Sequence, residues 1–310
     1  MTRGLWRILS IEGVILAALL TLVADQVAHT HVEKLGGVNI WGYRGPVLHQ
    51  KKANETRIAV AGGDLAFGWG VAASETLAPS VRQFVSLALD RPGAPARLVT
   101  SVNLGAQGLA PMDYGAWIDR YAYLRPDVIC LVPDPIGHTL HESGFLPDRR
   151  SVAFTVFGYS PILPLVLDEK GSATHSSIVR FLGASIGAVD AVLGRRDGEQ
   201  SATVTGGSAY LAAIETAIRS GLHASSAGVV VIVAPATDAA TNARDVKALV
   251  TSTFSSERVR VVDLGEDPEM RDDGLRLDRF SFSAAGHAAA GEHVTPAVLD
   301  LIRSGERRGP

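Results

Sequence analysis

The chain has 310 residues and a mass of 32.6 kDa, with 29 Lys+Arg against 32 Asp+Glu and a formal net charge of -3. That length accommodates one large or two small domains, and the lack of a basic surplus disfavours nucleic acid as a partner. The single cysteine, Cys130, excludes an internal disulfide and any cysteine-based zinc or iron–sulfur site. A hydrophobic fraction of 46% and a mean hydropathy of +0.17 are high for a soluble enzyme and low for a polytopic membrane protein. The apolar surplus is therefore local.

Its first address is the N-terminus. Residues 5–24 read LWRILSIEGVILAALLTLVA, twenty residues that make a helix of about 30 Å, the thickness of a bilayer's hydrocarbon core. Arg3 and Arg7 precede most of this run and Asp25, Glu33 and Lys34 follow it, so the charge asymmetry places residues 1–4 in the cytoplasm and the remainder outside. The polar stretch from Asp25 continues the helix to about residue 35, where Gly36-Gly37 stops it. Glu12 sits inside the run, where a carboxylate is costly unless it snorkels, neutralises or meets another helix. Gly13, Ala17, Thr21 and Ala24 share one face with Glu12 nearby, a small-residue pattern that lets membrane helices approach closely. The rival reading is a cleaved signal peptide, because the uninterrupted apolar core from Gly13 to Ala24 also has the size of a signal h-region.

After a linker at 36–56, apolar β-rich runs alternate with amphipathic segments across 57–303, and a polar tail occupies 304–310. The predicted strands are 58–61, 98–102, 128–132, 229–234 and 259–264. The predicted helices are 77–89, 112–123, 177–193, 209–220, 243–254 and 284–302. Short apolar strands separated by helices predict parallel pairing buried on both faces. The fold class is thus one doubly wound three-layer α/β/α domain with a flavodoxin-like parallel sheet of about five strands. The interval 137–173 is too long for a plain connection and carries the largely apolar VAFTVFGYSPILPLVL, an insertion that folds over the domain or faces a partner or membrane surface.

The loop after the first strand, Gly62-Gly63-Asp64-Leu65-Ala66-Phe67-Gly68-Trp69-Gly70, resembles the first block of the SGNH/GDSL hydrolase family, and Trp41 to Pro46 resembles the lead-in of its membrane-anchored bacterial members. Ser101 to Gly108 is similar to the second block, Arg125-Pro126-Asp127 to the approach of the third, and Asp278-Arg279-Phe280-Ser281, followed by Ala285-Gly286-His287, to the Asp-x-x-His block. The resemblance covers about residues 40–303 in the family's order. It implies a turn serine that attacks an ester, a histidine base, an aspartate that orients it, and an oxyanion hole of backbone N–H, Gly and Asn.

Placed residue by residue, the resemblance puts Asp64 at the nucleophile, Gly63 at the loop aspartate and Ser281 at the base. Pro133-Asp134-Pro135 stands where the third block should lead to its asparagine. Gly105 is kept, and Asp278 is left to orient a base that is missing. These four, Asp64, Gly105, Asp278 and Ser281, are vestigial pocket positions, and no catalytic set, cofactor or metal is expected. His287, His138 and Asp134 are the rescue candidates. His287 otherwise reads as a packing or capping residue at the start of the last helix. Asp64 and Asp134 with His138 and His141 have the chemistry of a carboxylate–imidazole metal site, against the plainer reading of loop polar groups meeting water. Cys130 lies within a strand as a small buried apolar residue.

The expected function is a non-catalytic, membrane-anchored SGNH-like protein of the bacterial inner membrane, periplasmic in its main domain. It would act as a structural or accessory subunit of an envelope polysaccharide-modifying or an energy-transducing or photosynthetic complex. Its expected partners are the lipid bilayer and other membrane subunits, through the N-terminal helix and the 152–167 insertion. The alternatives are a divergent esterase or O-acetyltransferase acting on envelope glycans, and a glycan-binding module using the vacated cleft. What fills the space beside Asp64, with Phe280 and Phe282 the expected plugs, separates them.

Overall fold

The computed structural model describes residues 3–34, 37–90, 97–134, 152–163, 166–167, 207–235, 240–254, 258–278 and 281–308. They divide into two compact units, residues 1–42 with 144–197, and residues 43–143 with 198–310. The predicted helix 177–193, His138, His141 and Phe280 lie outside the described residues.

The second unit is built on five strands: β1 (Glu55–Gly62), β2 (Leu98–Gly105), β3 (Val128–Val132), β4 (Gly228–Val233) and β5 (Val259–Asp263). All pair in parallel in the order β2-β1-β3-β4-β5. This is the flavodoxin-like doubly wound order, which reverses direction between β1 and β3. β1, β3 and β4 are buried along their whole length; β3 and β4 are the continuous apolar runs that coverage on both faces requires, and β1 opens with a buried Glu55–Arg57 ion pair. On one face, α3 (Leu77–Leu89) and the final helix of the chain, Ala284–Arg308, pack Leu77, Val81, Val85, Val294, Val298 and Ile302 against Ile58, Val60, Cys130 and Val230. On the other lie α4 (Tyr114–Arg120) and the helix Gly207–Ala224, which bury Trp117, Ile118, Ile214 and Ile218. Each fully buried aliphatic or aromatic side chain of this kind contributes about 1.5–3 kcal/mol. The helix predicted over 112–123 is broken into a 3₁₀ turn at Pro111–Asp113, α4, and a second 3₁₀ turn at Ala122–Leu124. The tightening accompanies a close aromatic cluster: Trp117 Nε1 donates to the Leu104 carbonyl, and Tyr121 meets the rings of Trp117 and Tyr43 edge-on.

The first unit contains α1 (Arg3–Lys34) and α5 (Val152–Phe157). Among the described residues α1 is the one helix long and apolar enough to cross a membrane, over Ser10–His31; a signal sequence has the same character. Residues 10–24 are exposed all round, including Glu12, Gly13, Ala17, Thr21 and Ala24, and the Thr21 hydroxyl donates back to the Ala17 carbonyl. The remaining helices are numbered α6 (Gly207–Ala224), α7 (Ala240–Thr253) and α8 (Ala284–Arg308).

Candidate functional site

In doubly wound sheets ligands bind beyond the carboxyl ends of the strands at the switch point, here the ends of β1 and β3. The chain leaves β1 through Gly62 and Gly63, and both glycines are demanded by close approach. A Cβ on Gly62 would lie 2.1 Å from the Val132 carbonyl oxygen, and one on Gly63 would lie 1.8 Å from Asp134 Oδ2. The short helix α2 (Asp64–Phe67) follows, wholly buried.

The turn is occupied by a side chain from the end of β3. Asp134 Oδ2 accepts the Asp64 N–H at 2.9 Å and Oδ1 accepts the Leu65 N–H at 3.1 Å. The Tyr114 hydroxyl donates to Oδ2 at 3.3 Å, and the Tyr210 hydroxyl donates to the Asp134 carbonyl at 3.0 Å. Asp64 Oδ1 accepts the Gly108 N–H at 3.3 Å. Both carboxyl groups are 3% exposed, so Asp134 is a buried structural acceptor rather than a loop group meeting water. Burial first, and then the like charge of Asp64, push the Asp134 carboxyl up to about 7, although the two N–H donors and Tyr114 pull the other way.

The second backbone donor is also engaged. Gly105, the position that the hydrolase resemblance assigns to the oxyanion, donates its N–H to Asn103 Oδ1 at 2.8 Å. It packs so tightly on α2 that a Cβ there would lie 2.1 Å from the Phe67 nitrogen. Asn103 Nδ2 donates to the Phe67 carbonyl and the Thr76 hydroxyl. Arg44, itself buried, donates to the carbonyls of Phe67, Gly68 and Val71, with its guanidinium 4.6 Å from the centre of the Phe67 ring. Burial lowers Arg44 to about 10, which leaves it charged at neutral pH.

His287 is the fourth residue of α8 and 1% exposed. Neither ring nitrogen has a hydrogen-bond partner, and the ring meets Phe282 edge-on. Burial, and then the Arg44 guanidinium, push it down to about 4. A general base must take a proton and be steadied by an anion when it does; this imidazole faces a cation instead. Ser281 is buried. Asp278 is exposed, and its Oδ1 accepts the Ser281 N–H at 2.7 Å. Phe282 thus packs on His287, and the group found against the Asp64 backbone is the carboxylate of Asp134.

Among the described residues one other cluster has metal-ligand chemistry: Asp267, Glu269 and His293. His293 Nδ1 faces Asp267 Oδ2 at 3.3 Å and Nε2 faces Glu269 Oε2 at 3.7 Å. The imidazole thus turns one ring nitrogen toward each carboxylate. Sequence reasoning passed over Arg44, Asn103, Tyr114 and Tyr210. Only Asn103, two residues from Gly105, carried a local signal, since Asn side chains commonly bond the backbone two residues on.

No protein-family profile matches the sequence, and no curated protein aligns with it significantly. Among solved structures the chain is similar to a lipolytic protein of the G-D-S-L family from Desulfitobacterium hafniense DCB-2, at 11% identity and a TM-score of 0.45, covering 78% of this chain and 99% of that one. It is also similar to LAE5, an alpha/beta hydrolase enzyme from the metagenome of Lake Arreo, at 13% identity and a TM-score of 0.41, covering 79% of this chain and 94% of that one. A family 3 carbohydrate esterase of Clostridium thermocellum aligns at 13% identity and a TM-score of 0.38, over 81% of this chain and 98% of that one. These are likenesses of arrangement at low identity, and the chemistry of the site rests on its own residues.

Proposed function

We propose that the chain is a non-catalytic, membrane-anchored protein of SGNH-like type that serves as a structural or accessory subunit of a larger membrane complex. α1 would span the bacterial inner membrane with its N-terminus in the cytoplasm, and the α/β unit would lie on the periplasmic side. The observation that carries the reading is the hydrogen bonding of the turn itself: the N–H groups of Asp64 and Leu65 are taken by Asp134, and that of Gly105 by Asn103. An oxyanion hole requires donors held unpaired until charge develops, and losing one donor costs about 10²–10³ in rate. Asp64 replaces the attacking hydroxyl, and His287 is neutral beside a cation, so the remaining acyl-transfer machinery also lacks support. The complex fits an envelope polysaccharide-modifying assembly or an energy-transducing or photosynthetic one. Purification of the full chain from membranes in mild detergent tests the subunit role: co-elution with integral membrane partners at fixed stoichiometry is expected, and a chain that runs alone as a monomer contradicts it.

One observation favours a divergent esterase or O-acetyltransferase. Two buried carboxyl groups meet at the switch point, and one of them, Asp134, is poised near neutrality, the kind of perturbation that clusters at active sites. Turnover of a chromogenic acetyl ester that depends on Asp64 or Asp134 would support that reading over the first.

A further inference from the structure

We propose that the 154–163 segment is a second contact with the lipid bilayer, fixed at the membrane surface beside the end of the α1 span, with Asp25 and His29 as its positioning residues. The proposal rests on the reading of α1 as a retained membrane anchor and adds to it a surface and a depth.

From residue 10 to residue 24 every position of α1 is exposed; Asp25, 3% exposed, and His29, fully buried, are where the helix first becomes covered by protein. What covers it is the 159–163 segment. Asp25 Oδ1 accepts the N–H groups of Ile162 at 2.9 Å and Leu163 at 2.6 Å, and the Tyr159 hydroxyl donates to Oδ2. One turn further on, His29 Nε2 donates to the Ser160 carbonyl at 2.6 Å. The run 5–24 matches the hydrocarbon core in length and the helical stretch apolar enough to cross is Ser10–His31, so the carboxylate lies in the last two turns of the span, where it approaches the headgroups. A buried carboxylate that accepts two backbone N–H groups and a phenol is a built joint, and it ties a distant part of the chain to that level.

The segment so held is apolar outward. Val156 and Phe157, at the end of α5, are 65% and 73% exposed. Phe157 is two residues from Tyr159, so its Cα lies within about 7 Å of the Tyr159 Cα, and interfacial apolar side chains enter the headgroup–acyl boundary to about 5–10 Å. Trp41 packs close to Gly158, with its ring 3.8 Å from where a Cβ would stand. Trp41 and Tyr159 are thus an amphipathic aromatic pair at this level, the residue types enriched at membrane–water boundaries. Continuity with the span selects lipid as the occupant of this patch. A protein subunit seated there would leave the segment shielded from lipid.

Nitroxide accessibility in the full chain reconstituted into phosphatidylcholine/phosphatidylglycerol nanodiscs tests this. Cys130 is fully buried and stays unlabelled, so labels are introduced singly as Ile15→Cys, Val156→Cys and, as an exposed control on α7, Arg244→Cys. The expected result is preferential collision with oxygen over a water-soluble nickel chelate at 15 and 156, and the reverse at 244. Adding Asp25→Ala to the Val156→Cys chain is expected to lower its oxygen preference severalfold, with site 15 unchanged, and Asp25→Asn, which keeps the accepting oxygen, is expected to restore most of it. Oxygen preference at 15 with nickel preference at 156 overturns the second contact and leaves the anchor standing. Nickel preference at 15 overturns the anchor and the proposal together. A lipid-exposed 156 that is indifferent to Asp25→Ala overturns the positioning role.

Discussion

The carboxylate of Asp134 accepts the backbone N–H of Asp64 at 2.9 Å across 70 positions of sequence. It thereby takes up a backbone donor at the switch point of the sheet, the place where a doubly wound fold receives its ligands. The contact joins two buried acids, and it brings both a structural role and an electrostatic cost.

That cost gives a pH signature. Asp134 is raised in the folded state to about 7, so between about 4 and 7 the native protein holds a proton that the unfolded chain has released, and stability falls as pH rises through this window. The effect is at most about 4 kcal/mol at about 1.4 kcal/mol per tenfold. Asp134→Asn is expected to remove this decline, read as the difference between wild-type and variant in urea unfolding at pH 4.5 and pH 8. A variant whose pH profile parallels the wild type would contradict the assignment.

His287 acts with the opposite sign. It is lowered to about 4, so between about 4 and 6.5 the unfolded chain binds the extra proton and stability rises with pH. The effect is at most about 3 kcal/mol. In the wild type the two slopes offset one another between about 4.5 and 6.5. His287→Leu, which keeps an apolar side chain of similar size, is expected to unmask the Asp134 decline as a steeper loss of stability with rising pH.

Arg44 ties down the 67–71 loop through carbonyls rather than carboxylates. Arg44→Met leaves the carbonyls of Phe67, Gly68 and Val71 without this donor, with an expected loss of about 3 kcal/mol in thermal or denaturant unfolding, as for other buried charged hydrogen bonds. The same variant removes the cation that depresses His287, so the imidazole titration followed by NMR should move upward. An unmoved titration would mean that burial alone holds it down.

Installing the residues of the hydrolase pattern should not confer hydrolysis. Asp64→Ser combined with Ser281→His supplies a hydroxyl and an imidazole, but Asp134 still occupies the Asp64 and Leu65 N–H groups and Asn103 that of Gly105. Ester turnover in the double variant is expected to stay at background. A gain of a hundredfold or more would mean that the donors are released on substrate binding.

Much of the fold was legible because its signals are local. The run 128–132 is bounded as the observed strand, and the helix 77–89 coincides with α3, since continuous β-branched runs and a 3.6-residue apolar period need no knowledge of partners. The apolar run predicts a strand ending at 102, whereas pairing continues to Gly105, because Asn103 and Gly105 have loop character in sequence and their roles beneath α2 are tertiary. In the site, Asp64, Gly105 and Ser281 are marked through the resemblance to the hydrolase blocks. That Asp134 lies on the Asp64 N–H is not, since it depends on the close approach of two strand ends that Gly63 permits by lacking a side chain. The break of the predicted helix 112–123 has the same origin in tertiary packing around Trp117 and Tyr121.

The central proposal, that this α/β unit carries out no acyl transfer, is tested most directly by the full chain's turnover of a chromogenic acetyl ester together with labelling by a fluorophosphonate probe. The account predicts hydrolysis no faster than the buffer rate and no probe adduct on any residue. Turnover above that rate, abolished by Asp64→Asn or His287→Ala in variants that remain folded, would contradict it.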